Sequence, residues 1–292
     1  MQQRIFWYFV EKLVMIKKII CPTDFSVAAT NAIEYAAELA QELNAELQLL
    51  NVQSLFPVIA IPVGMNINER VFDSSKSLAQ TCYEINELFH IQSTYEIIAT
   101  SEGLAKSISD EADENCLIVM GTNGVDSMYQ YFFGSNTYQV IKKAKCHVLM
   151  VPEKVTYGTI SKIVFAWSYE TNYPVLISML NELITIFNPK IIFTPLITFL
   201  HVSKHPSPLS NETFLLLKKE IGSEIKEKIK IEFEEIVSDD IPESINNYME
   251  KSKSDILMMT VMDRGLIGNI FHHSVSRKIT GIAEYPFLVM HV

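Results

Sequence analysis

Short, almost wholly apolar runs alternate along this chain with longer stretches in which apolar residues recur every three or four positions. Runs at 16–22, 46–53, 94–99, 117–120 and 147–151 have the length and continuity of strands buried on both faces. Ala29, Ala32, Ile33, Ala36, Leu39, Ala40 and Leu43 keep helical spacing, and the same spacing predicts helices over 71–89, 103–114 and 135–143. Asp24 or Ser26 stands where the first of these helices needs a cap. Strands alternating with helices predict a parallel α/β sheet.

After Pro152 the rhythm restarts. Strands are expected at 161–166, in a run ending at 202, and at 229–236, 256–260 and 287–291; helices fall near 174–187, 211–227 and 241–249. One element order serves both halves, so the chain reads as an internal duplication. The expected organisation is an extension at 1–14, a first domain at 15–152, a linker at 153–160 and a second domain at 161–292. The extension is read as an appendage ahead of a start at Met15; an ordered segment docking its aromatics is the alternative.

Composition narrows the classes. With 292 residues, 48% hydrophobic and 20% charged, the chain is ordinary globular protein with enough length for two cores. A net charge of -10 gives no basic surface for a nucleic acid partner. The strongest apolar stretch, 191–200, contains Pro195 and falls well short of the ~20 residues a membrane helix needs, so no membrane partner is expected. The apolar run at 5–10 is too short for a signal-peptide core, and a cytoplasmic location is expected. Cys21, Cys82, Cys116 and Cys146 show no C-x-x-C pairing and read as buried free thiols rather than disulfides or zinc ligands; a redox-sensing cysteine is the alternative.

The chemistry concentrates after the apolar run 116–120, where Gly121, Gly124, Gly134 and Ser135 make a G-x2-G-x9-G-S pattern. Glycines let backbone approach a ligand closely and adopt positive φ, and a helix beginning near Ser135 directs its free N–H groups at an anion such as a phosphate. The spacing is neither the G-x-G-x-x-G fingerprint nor a P-loop.

Three separated motifs make the pattern specific. Lys18-Ile-Ile-Cys-Pro-Thr-Asp-Phe-Ser26 resembles the opening strand and turn of the universal stress protein (UspA) family, and Leu50-Asn-Val52 is similar to the end of its second strand. Val119-Met-Gly-Thr-Asn-Gly124, Gly134-Ser135 and Val148-Leu-Met-Val-Pro152 look like its nucleotide-binding signature. The resemblance is strong over 15–152 and weak over 161–292, as in the tandem form. It implies two tandem, doubly wound, five-stranded parallel-sheet domains of Rossmann-like, adenine-nucleotide-binding type, with the ligand beyond the carboxyl ends of the strands. It also implies an intrachain pseudo-dimer in which 147–151 and 287–291 meet edge to edge, and leaves open a further homodimer.

Carried over by position, Thr23 and Asp24 form the ribose turn, with the Asp24 carboxylate accepting from sugar hydroxyls. The Val52 backbone would recognise the adenine edge, and Gly121 and Gly124 would let the main chain close on ribose and α-phosphate. Gly134, Ser135 and the N–H groups of Asn136 and Thr137 would hold the phosphates. One departure concerns the phosphate number: the loop 125–133 has no Lys or Arg, and Asp126 would repel a triphosphate facing it. The expected ligand is therefore ATP or another adenine nucleotide such as AMP or ADP, with or without Mg.

In the second half, Ala283-Glu-Tyr-Pro-Phe-Leu-Val-Met aligns with Ala144-Lys-Cys-His-Val-Leu-Met-Val. That register sets Thr260 against Gly121, Asp263 against Gly124, His273 against Gly134 and Ser274 against Ser135; Ser168 stands in place of Asp24. Loss of the nucleotide site is expected there. His201, His205, His272 and His273 have no recognised zinc spacing and read as exposed or helix-capping histidines, so no metal site is expected.

Three functions are compatible with these residues. The first is a stress-response sensor or regulator that binds a nucleotide in the first domain. The second is a slow ATPase or related enzyme, opposed by the lack of cations and paired carboxylates beside the phosphate loop. The third is an interaction scaffold with a vestigial site, opposed by the five retained motif residues.

Overall fold

The computed structural model describes residues 16–55, 67–122, 135–167, 173–187, 194–206, 215, 218–221, 229–260 and 284–291. Those from Ile16 to Tyr157 form one compact unit and those from Gly158 onward form a second.

The first unit runs β1 (Lys18–Pro22), α1 (Val27–Leu43), β2 (Glu46–Ser54), α2 (Ile67–Phe89), β3 (Ser93–Thr100), α3 (Leu104–Glu111), β4 (Cys116–Thr122), α4 (Ser135–Lys143) and β5 (His147–Pro152). Its strands are all parallel, in the order β3-β2-β1-β4-β5, with Lys18 opposite both Glu46 and Cys116. The winding therefore reverses between β1 and β4. β1, β4 and β5 are buried almost throughout, which is why they read as unbroken apolar runs. Helix α1 buries a face of small residues, including Ala28, Ala29, Ala32, Ala36 and Ala40, so its backbone comes close to the sheet. Its ends are set locally: Ser26 caps the start, and Asn44 closes the end in the left-handed conformation at φ 52°.

The second unit contains β6 (Lys162–Ala166), α5 (Tyr173–Phe187), β7 (Leu196–Ser203), β8 (Lys230–Val237), α6 (Ile241–Ser252), β9 (Ile256–Thr260) and β10 (Phe287–Met290). Its order, β8-β7-β6-β9-β10, repeats that of the first unit strand for strand, again all parallel where registers are described. Two tandem doubly wound sheets are thus present. Asp240 caps α6 by accepting from the Glu243 N–H at 3.1 Å.

Several boundaries differ from expectation. Helix α2 is already formed at Ile67, one turn before the clear apolar periodicity. Helix α3 stops at Glu111 because Ala112 turns extended (ψ 132°) and the Asp113 side chain takes the Asn115 N–H at 2.8 Å. Strand β4 continues through Gly121 to Thr122, so this glycine belongs to the sheet and not to the turn. Of the helix expected at 211–227, only 215 and 218–221 are described, and these are helical.

All four cysteines are buried and free. Burial pushes the Cys146 thiol up to about 12 and raises Cys21 further still. Thiols held neutral in this way are poor nucleophiles, which weighs against redox sensing.

Candidate functional site at the carboxyl end of the first sheet

Where β1 and β4 part, the chain leaves β1 through the turn Thr23-Asp24-Phe25-Ser26. The Thr23 N–H donates to the Leu50 carbonyl at 2.9 Å, the last sheet bond on this side of β2. The turn is then closed by its own side chains. Thr23 Oγ1 accepts from the Phe25 N–H at 3.1 Å, Asp24 Oδ1 from the Ser26 N–H at 3.0 Å, and Ser26 Oγ from the Ala29 N–H at 3.2 Å. Thr23 is buried, but Asp24 is exposed, so a carboxylate held by one oxygen faces solvent at the mouth of the sheet. Phe25 sits at φ 65° with 45% of its surface exposed. A left-handed aromatic residue costs about 1 kcal/mol or more and persists here because side-chain bonds hold both neighbours.

A second layer fixes this turn from β2. Asn51, a buried polar residue of β2, donates from Nδ2 to the Thr23 carbonyl at 2.8 Å. Gln53 Nε2 donates in turn to Asn51 Oδ1 at 3.1 Å and to Ser74 Oγ of α2 at 3.0 Å. The motif Leu50-Asn-Val52 assigns no role to Asn51, whose signal in the sequence is a polar residue between apolar Leu50 and Val52.

Val52 lies opposite Ile98 of β3. Peptide groups alternate sides along a strand, and the Leu50 carbonyl points at Thr23. The N–H and C=O of Val52 therefore face the same side, beyond the point where β1 has turned away.

On the other side of the switch, Gly121 pairs with Val151 and has no positive φ; among the described glycines that conformation occurs at Gly103 (φ 85°). Its bare Cα abuts the backbone of Ala28 and Ala29. Helix α4 begins at Ser135, followed by Asn136 and a buried Thr137. Neither α1 nor α4 has an acidic residue in its first turn, so neither helix neutralises the positive end of its own dipole. Gly124 and Gly134 lie outside the described residues. Thr23, Asp24, Val52 and Gly121 are brought together at the carboxyl ends of β1, β2 and β4.

The second unit shows what this arrangement looks like with other side chains. The Trp167 N–H donates to the Leu200 carbonyl at 3.1 Å, as Thr23 does to Leu50. His201 Nδ1 donates to the Trp167 carbonyl at 3.1 Å, as Asn51 does to Thr23. Trp167 is buried and packs on Phe199 and Phe233, ring centroids 5.5 and 5.9 Å away. Registers β6–β9 and β9–β10 put Thr260, fully buried, at the place of Gly121. Ser168, Asp263, His272, His273 and Ser274 lie outside the described residues, while His205 is exposed.

The family model described as "Universal stress protein family" matches residues 15–152. A universal stress protein of Synechocystis is 32% identical over 143 residues, spanning 48% of this chain and 88% of the relative. The chain belongs to the universal stress protein family. A universal stress protein of Methanocaldococcus jannaschii is similar over much the same share, 29% identical across 144 residues, 47% of this chain and 82% of the relative. The solved universal stress protein from Archaeoglobus fulgidus covers 94% of this chain and 98% of its own, with a TM-score of 0.69. At 16% identity that likeness speaks for the fold alone, and it takes in both units. The universal stress protein sequence match itself stops at Pro152, so the second unit keeps the family's topology with a diverged sequence.

Proposed function

We propose that the first unit binds an adenine nucleotide at the carboxyl end of its sheet, and that the chain acts as a cytoplasmic stress-response sensor or regulator. The observation that carries this reading is the convergence of three groups at the β1/β4 switch. They are the exposed Asp24 carboxylate, the peptide groups of Val52 beyond the end of β1, and the first turn of α1. Open parallel sheets take ligands at such a switch point. In this reading Asp24 accepts from the ribose hydroxyls, Val52 pairs with the adenine edge, and the N–H groups of Ser135, Asn136 and Thr137 take phosphate oxygens. Gly124 and Gly134 complete the phosphate loop by motif position. Among the described residues no helix is long and apolar enough to cross a membrane.

Calorimetric titration of ATP, ADP and AMP, with and without magnesium, into nucleotide-free protein tests the reading. The expected result is saturable binding of one nucleotide per chain, lost in Asp24→Ala. Absence of saturable binding at millimolar nucleotide would sink it.

A further inference from the structure

Gly121 lies within β4, flanked by Met120 and Thr122 and paired with Val151. A Cβ placed on it would stand 2.3 Å from Ala28 O, 2.5 Å from Ala28 C and 2.8 Å from Ala29 N. All three are backbone atoms of the first turn of α1, and no side-chain rotation removes such a clash. That turn is held: Ser26 Oγ accepts from Ala29 N–H at 3.2 Å, and the Ser26 carbonyl accepts from Thr30 N–H at 2.9 Å. Any side chain at 121 would have to lift the start of the helix as a body.

The second unit contains the contrary case. Thr260 occupies the matching position with a buried side chain, so the sheet of the second unit accommodates a Cβ there.

We propose that Gly121 is a positioning residue, seating the N-terminal turn of α1 against the end of β4 and acting on a bound nucleotide through that helix. The proposal rests on the nucleotide reading of the first unit. It assigns to the first glycine of the motif a task different from contact with the ligand. Its missing Cβ sets where the Thr23–Ser26 turn and the free N–H groups of α1 lie.

The test compares Gly121→Ala with the unaltered chain in three measurements: melting temperature without nucleotide, amide exchange of Ala29 and Thr30, and nucleotide affinity at a temperature where both proteins are fully folded. Seating predicts a melting temperature lower by about 5 °C. It also predicts faster exchange in the first turn of α1 and an affinity about tenfold weaker. Weaker affinity with unchanged melting and exchange would mean direct contact and overturn the proposal. A lower melting temperature with unchanged affinity would overturn it too, by reducing Gly121 to packing. Ser26→Ala frays the same turn without adding bulk at 121, and serves if Gly121→Ala does not fold. It should raise Ala29 exchange and weaken affinity in the same direction, and faster exchange without an affinity change contradicts the proposal. An unaltered chain that binds no nucleotide removes the nucleotide reading and the binding half together, and the exchange arm then decides the seating half.

Discussion

Asn51 and Thr23 are joined by a buried hydrogen bond, Nδ2 to carbonyl at 2.8 Å, that ties the second strand to the turn leaving the first. His201 and Trp167 repeat that bond at 3.1 Å in the second unit, with a different donor on an equivalent strand. The duplicated fold has therefore kept the tie while replacing both residues that make it.

Asn51→Ala leaves the Thr23 carbonyl without this donor and should cost about 1–3 kcal/mol of stability. Nucleotide affinity should fall with it, because the Asp24 turn loses its anchor. Asn51→His, which copies the second unit, should lose less on both counts. Urea denaturation and calorimetry check this; an alanine variant as stable as the original would show that the bond contributes nothing.

The buried thiols set an alkaline limit. Cys146 is held neutral up to about 12, against an ordinary value of 9.0, and Cys21 is raised further. Their folded-state values lie above the unfolded ones, so stability is unaffected below pH ~9 and falls as pH rises toward 12. Each such thiol steepens the decline by about 1.4 kcal/mol per pH unit. A thiol reagent should not modify Cys21 or Cys146 in the native protein at pH 8 and should modify both in urea. Rapid native labelling of either would contradict their burial.

Asn31 of α1 donates from Nδ2 to the carbonyls of Pro152 at 2.9 Å and Val155 at 2.8 Å. Tyr157 then packs edge-on against Tyr35, centroids 5.1 Å apart. The stretch that reads in sequence as the start of a linker is thus strapped along a helix of the first unit. Asn31→Ala should make residues 153–157 markedly more sensitive to limited proteolysis, with about 1 kcal/mol lost from the first unit. Unchanged cleavage would mean that the strap does not depend on Asn31.

The strands were legible because burial on both faces forces continuous apolar runs, as at Ile19-Ile20-Cys21 and Leu117-Ile118-Val119. Helix α1 was legible through its alanine spacing, and its cap was one of two candidates at Asp24 and Ser26. The register of the second half was also readable: end-to-end alignment set Thr260 against Gly121, and strand pairing does the same.

What the chain order by itself determined is the alternation of elements, the duplication and the residues gathered at the β1/β4 switch, since each follows from local periodicity or short motifs. Tertiary structure alone decided the tasks of Asn51, Asn31 and Gly121. Asn51 meets Thr23, Asn31 meets Val155, and Gly121 meets Ala28 only once the sheet has brought distant segments together. A hydrogen bond or a missing Cβ has meaning only against the atom opposite, and that atom is chosen by packing rather than by sequence neighbours.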